Sequence, residues 1–196
     1  MRRSFLMLGA VLLAVFALAP KAAHAQTIVS MGQGLAHDCF IYAKAGMRPR
    51  EGLVVCDQAI AREAMMTKDR AATFDNRGVI LDRLGETDRA AADFRQAMVL
   101  DPTLGDPHVN LGSMLIKEKR YDDALARINQ GIALGVSFPQ IGYYNRAVAY
   151  HQMGKFKEAY YDYKKALEID PSFTMASEHL KDFVVTRAPA PGAASN

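Results

Sequence analysis

A chain of 196 residues, half of them apolar, is long enough for one ordinary domain or a short solenoid with a sizeable core. Its formal charge of +3 includes Arg2, Arg3 and Lys21, which fall in a segment expected to be removed; without them 21 basic residues face 21 acidic ones. A balanced chain lacks the basic footprint of a nucleic-acid or anionic-membrane binder, so neither partner is expected.

Met1 to Ala25 has the pattern of a secretory signal peptide. Arg2 and Arg3 open it, Phe5 to Ala19 is an uncharged apolar run, and Ala23-His24-Ala25 is a small-x-small cleavage site. The run is shorter than the roughly 20 residues that span a bilayer, so no stable membrane insertion is expected after cleavage. The mature chain would begin at Gln26 in an oxidising compartment, periplasmic or secreted. Residues 26–33 form a polar, flexible leader.

Residues 34–70 predict a helix pair and a linker. Leu35, Phe40, Ile41 and Ala43 carry a helical pattern that stops near Gly46, and Arg48-Pro49-Arg50 opens a second helix. Met65 to Arg70 is the linker. Cys39 and Cys56 flank the turn at Met47-Arg48 almost symmetrically, which places them side by side in an antiparallel pair. With an even cysteine count and a secretory leader, a disulfide is predicted; two buried thiols are the alternative.

From Ala71 to Phe173 one pattern comes three times, at a period of about 34 residues. The first copy (71–104) has Phe74, Arg77, Gly78 and Leu81, then Ala90, Phe94 and Ala97, then Asp101-Pro102. The second (105–139) places His108, Leu111, Gly112 and Leu115, then Ala124, Ile128 and Gly131 in the same slots. The third (140–173) has Tyr143, Arg146, Ala147 and Tyr150, then Ala159, Tyr163 and Ala166, then Asp170-Pro171. Ala90, Phe94 and Ala97 share one helix face, and small residues at Gly78, Gly112 and Ala147 let the paired backbones approach. Each copy therefore predicts an antiparallel helix pair, and pairs that cannot bury their apolar faces alone must stack. A proline in the first turn, after Asp106 as cap, starts one helix; Asp101-Pro102 and Asp170-Pro171 end two others. A capping helix is expected over 174–187, started by Ser172 and striped with Ala176, Leu180, Phe183 and Val184. The tail 188–196 is expected to be disordered.

This set of residues resembles the tetratricopeptide repeat (TPR) family. Arg77 and Arg146 depart from it, standing where leucine is usual, and Val136 replaces the closing proline of the second copy. The resemblance implies an all-α, right-handed α-solenoid of stacked antiparallel helix pairs. It further implies a non-catalytic scaffold or adaptor that binds a protein or peptide, within the cell envelope on the evidence of the leader.

No catalytic residues or cofactor are expected. His37, His108, His151 and His179 are scattered without metal-ligand spacing, His108 fills a core slot, and no nucleophile elbow, phosphate loop or Cys-x-x-Cys is present. Lys117 to Arg120 is a solvated turn rather than a basic docking site. Tyr143, Tyr150 and Tyr163 fall in core slots, and Tyr160 and Tyr161 are partly exposed. Two other classes of function stay open: an obligate structural subunit of an envelope complex, and a thiol-redox or metal sensor using Cys39 and Cys56.

The expected binding face follows from rotation. Asn76, Asn110 and Asn145 stand two residues before the small contact residue of each repeat, about 200° away around the helix, towards the inner groove. Three amides in a row can pair with an extended peptide backbone of any sequence. Asp75, Val79, Val109, Ser113, Ile116, Tyr144 and Val148 surround them, with Tyr144 the expected hot spot. Some members of the resembled family clamp a terminal carboxylate with basic residues beside such asparagines; Asp75, Val79 and Ile141 fill those slots here, so that clamp is expected to be absent. The alternative is that the asparagines satisfy contacts between repeats.

Overall fold

The computed structural model describes residues 34–183, and every regular element among them is a helix. The predicted signal peptide, the flexible leader, Val184 to Arg187 of the predicted cap and the tail lie outside the described residues. Four helix pairs follow one another: α1 (Leu35–Ala45) with α2 (Pro49–Arg62), α3 (Thr67–Arg83) with α4 (Thr87–Leu100), α5 (Asp106–Lys117) with α6 (Tyr121–Leu134), and α7 (Pro139–Gln152) with α8 (Phe156–Ile169). A short α9 (Thr174–Leu180) packs on α8. Each second helix touches the first helix of the next pair, and the first helices α1, α3, α5 and α7 also touch in turn. The chain is thus an α-solenoid, with two apolar clusters that each span neighbouring pairs and both include residues of α5.

Small residues set the spacing within pairs, as the repeat predicts. A methyl group on Gly78 would stand 2.6 Å from Cε1 of Phe94, so α4 can seat its phenyl ring only against a bare backbone. Gly112 meets Ile128 of α6 in the same way, and Ala147 is fully buried. The three turns between paired helices close alike. The carbonyls of Leu81, Leu115 and Tyr150 accept from the N–H groups of Glu86, Arg120 and Lys155, each at 2.9 Å. This six-to-one bond requires a left-handed residue before the donor. Gly85 (φ 80°) and Gly154 (φ 73°) supply it, but in the middle repeat it is Lys119 (φ 62°).

The amino-terminal pair is tied down covalently. Cys39 and Cys56 form the predicted disulfide, with Cα atoms 4.8 Å apart and both side chains fully buried. Glu63, just past α2, accepts the Ala36 N–H at 2.7 Å and so completes the start of α1. Arg83 of α3 donates to the Ala43 carbonyl and holds this pair to the next one.

Four local expectations are corrected. The linker is shorter than Met65 to Arg70, because Thr67 to Arg70 contain no breaker and form the first turn of α3. Asp106 does not cap α5; its carboxylate accepts from the Ser137 N–H (3.0 Å) and hydroxyl (3.2 Å), tying down the loop after α6. Ser172 does not cap the last helix; its N–H and hydroxyl both donate to Asp170, as Thr103 does to Asp101. The last helix ends at Leu180, followed by a turn, rather than running to Arg187.

Candidate functional site

The two arginines that depart from the usual repeat pattern are bound in matching forks. Arg77 Nε and Nη2 donate to both oxygens of Asp93 at 2.7 and 2.8 Å, and Nη1 donates to Asp57 of the preceding pair at 2.8 Å. Arg146 repeats this with Asp162 at 2.7 and 2.8 Å and with Asn129 at 2.8 Å. Each guanidinium also lies over an aromatic ring one turn earlier, 5.3 Å from Phe74 and 5.2 Å from Tyr143. The hydrogen bonds to aspartate hold both guanidinium pKa values above the ordinary value. Each arginine thus joins three helices: both members of its own pair and the second helix of the previous one.

The ten residues expected to line the groove lie on α3, α5 and α7, the adjacent first helices. Asp75, Asn76, Val79, Val109, Asn110, Ser113, Ile116, Tyr144, Asn145 and Val148 are all 9% exposed or less. They are therefore buried positions rather than an open, solvent-facing row. Asn110 Nδ2 donates to Asp75 Oδ1 at 3.0 Å, a bond from one repeat to the next. Lys117 makes a parallel link, donating to both oxygens of Asp82 at 2.9 and 2.7 Å. Asp75 Oδ2 has no hydrogen-bond partner among the described residues. Burial, reinforced by the nearby Asp106 carboxylate, holds the Asp75 carboxyl well above the usual range despite the Asn110 hydrogen bond.

Tyr144 is the clearest correction. The sequence places it outside the core slots, yet it is 3% exposed. Phe173 meets it edge-on at 5.4 Å, His179 of α9 lies at 5.7 Å and Tyr163 at 5.7 Å. Its burial raises the phenol pKa to about 12. The chain's own last helix thus occupies the ring that was expected to meet a partner. Tyr163 is fully buried as expected and stacks on His179 (5.0 Å, 6° between planes). Tyr143 and Tyr150 are only half buried, lying under Arg146 and Lys155.

The other candidates resolve simply. His108 is buried in its core slot, and burial followed by the charge of Arg127 lowers its pKa. Cys39 and Cys56 are joined, and no free thiol remains among the described residues. No group of three metal-ligating side chains is found among them either, and none of their helices is long and apolar enough to cross a membrane. Lys117 and Arg120 are held by Asp82 and by Asp123 and Glu118, so the basic turn is paired rather than open.

Helix pairs stacked at a fixed period define an α-solenoid repeat protein. Tetratricopeptide-repeat family models match residues 71–104 and 141–173, so these two stretches are tetratricopeptide repeats. It is 30% identical over 149 residues to Hsp70-Hsp90 organizing protein 2 of Arabidopsis thaliana, covering 74% of this chain and 26% of the relative. It is 28% identical over 118 residues to the Lipoprotein NlpI homolog of Haemophilus influenzae, covering 60% of this chain and 37% of the relative. The chain thus spans well under half of either relative's length. Among solved structures, the first TPR of Spaghetti (RPAP3) bound to an HSP90 peptide superposes with a TM-score of 0.54. That match is 24% identical and covers 58% of this chain and 92% of the other.

Proposed function

We propose that this protein is a non-catalytic adaptor of the bacterial cell envelope that holds an extended protein segment along α3, α5 and α7. The observation that carries the reading is the asparagine that recurs at repeat spacing on adjacent first helices, Asn76, Asn110 and Asn145, with Asp75 and Ser113 beside it. Buried polar side chains lower stability unless they are satisfied. Here Asn110 satisfies Asp75 across one repeat boundary at 3.0 Å, and the half-buried Lys117 and Ile141, on the same helix faces, form the part of the row a partner can reach.

With Tyr144 covered by α9 and Asp75 buried against Asn110, the specificity of the row rests on the edge that Lys117 and Ile141 present. An acceptor-bearing row without a basic clamp suits a backbone or a cationic side chain better than a terminal carboxylate. The envelope assignment is supported by the leader pattern of Met1 to Ala25, by the disulfide and by the likeness to a lipoprotein relative.

Parallel affinity captures from an extract of the native host test this reading. Wild-type protein should retain a partner identified by mass spectrometry, and Lys117→Ala and Ile141→Arg, at half-buried positions on the faces of the row, should each lose it while keeping their helical circular dichroism. Equal recovery by all three proteins would reject the row as the site.

A further inference from the structure

The middle repeat keeps the place of the arginine fork but exchanges its members. In the first and third repeats the fork takes a cation from the first helix (Arg77, Arg146), an acid from the second (Asp93, Asp162) and an oxygen from the preceding pair (Asp57, Asn129). In register, the middle repeat has Leu111 for the arginine, Arg127 for the aspartate and Arg95 for the oxygen. Two acceptor positions have become donors, and the cation between them has become leucine.

Neither Arg95 nor Arg127 forms an ion pair among the described residues. Both line one cleft of about 400 Å³, with α4 and α6 as walls and α5 behind. Its apolar lining includes Leu111, Met114 and Leu115. The two acids at its rim, Glu118 and Asp123, are held by Arg120 at 3.3 and 2.7 Å. The cleft therefore offers two uncommitted guanidiniums beside an aliphatic surface, where the neighbouring repeats are closed by their own aspartates.

We propose that this cleft is a second binding site, separate from the row on α3, α5 and α7, and that it takes an acidic peptide segment carrying a leucine-like neighbour. A carboxylate from the partner would sit between Arg95 and Arg127, as Asp93 and Asp162 sit against Arg77 and Arg146. The adjacent aliphatic side chain would cover Leu111 and Met114. A planar carboxylate matches the guanidinium fork in charge and geometry, and this complementarity identifies the occupant. Such a site would let the adaptor hold two partners at once, one on each side of the first helices.

The test uses the intact, oxidised protein and the probe peptide acetyl-Leu-Glu-Leu-Leu-Glu-amide, with acetyl-Leu-Gln-Leu-Leu-Gln-amide as its neutral twin. Titration calorimetry should show the acidic peptide binding about tenfold or more tightly than the twin. Arg95→Gln and Arg127→Gln should each weaken it about fivefold or more. Arg89→Gln removes the same charge elsewhere on α4 and should leave binding unchanged. A second readout is the His108 imidazole, whose pKa should rise when a bound carboxylate offsets the Arg127 charge. Equal affinity for the two peptides, equal loss in the Arg89 control, or equal competition by inorganic phosphate at the peptide's concentration would overturn the proposal. Binding that leaves the His108 resonance unmoved would do the same.

Discussion

Arg77 and Asp93 meet through two parallel hydrogen bonds, and Arg146 and Asp162 meet in the same way two repeats later. Each arginine stands where the family usually has leucine. The aspartates are nearly buried, so the fork replaces an apolar contact by a charge pair that must stay complete. Arg77→Leu alone is expected to destabilise the fold by about 2–4 kcal/mol, because it leaves Asp93 buried without its cation. The double variant Arg77→Leu/Asp93→Leu should recover most of that loss. Urea unfolding of the two singles and the double measures the coupling; additive losses would show that the fork contributes no pairing energy.

The left-handed Lys119 predicts a gain. Its counterparts are Gly85 and Gly154, and a side chain in that conformation costs about 1–2 kcal/mol, partly offset by the freedom glycine loses on folding. Lys119→Gly should therefore stabilise the chain by about 0.5–1 kcal/mol, while Gly85→Ala should destabilise it by about 1 kcal/mol. Thermal melts of both variants check the pair of signs.

The disulfide predicts a loss confined to one end. Cys39 and Cys56 close a short loop in the pair that has no described neighbour before it, and opening that loop should cost roughly 2–3 kcal/mol. Alkylation of freshly isolated protein without reductant should modify neither cysteine. In Cys39→Ser/Cys56→Ser, amide exchange should accelerate in α1 and α2 before it does in α7 and α8.

Acid should loosen the cap. His151 and His179 sit among Tyr144, Tyr163, Phe173 and Phe183, and burial lowers both imidazole pKa values. The neighbouring His151 lowers His179 further, and Asp182 opposes the shift of both. A histidine whose folded pKa is depressed binds more protons when unfolded. Its stabilising effect is therefore fully present above the unfolded value of about 6.5 and is lost as pH falls below it. The protection of α9 amides, taken relative to the intrinsic exchange rate at each pH, should fall between pH 7.5 and 5, and less so in His179→Phe. An equal fall in the variant would exclude His179 as the cause.

Much of this architecture was legible in the sequence because it depends on spacing. The period placed the helix pairs, the small residues at Gly78 and Gly112 marked the contacts with Phe94 and Ile128, and the symmetry about Met47-Arg48 paired the cysteines. The forks were written there only as anomalies. Arg77 and Arg146 broke the leucine pattern, and the matching aspartates sixteen residues on were the unread signal. Tyr144 was misread because its burial comes from Phe173 and His179, contacts that helical rotation cannot show. The early start of α3 follows from the lack of a breaker in Thr67 to Arg70, and the short α9 lies at the carboxyl-terminal end of the described stack, where periodicity is weakest.

The adaptor reading stands or falls on which face meets a partner in the living host. A photo-crosslinking residue placed at Lys117, half-buried at the end of α5 on the face of Asn110, should capture a partner protein, and the same residue at the exposed Val99 on α4 should not. Adding Ile141→Arg on α7 should abolish that adduct while thermal melting stays cooperative. Adducts at Val99 alone, or an adduct at Lys117 that survives Ile141→Arg, would contradict binding along α3, α5 and α7.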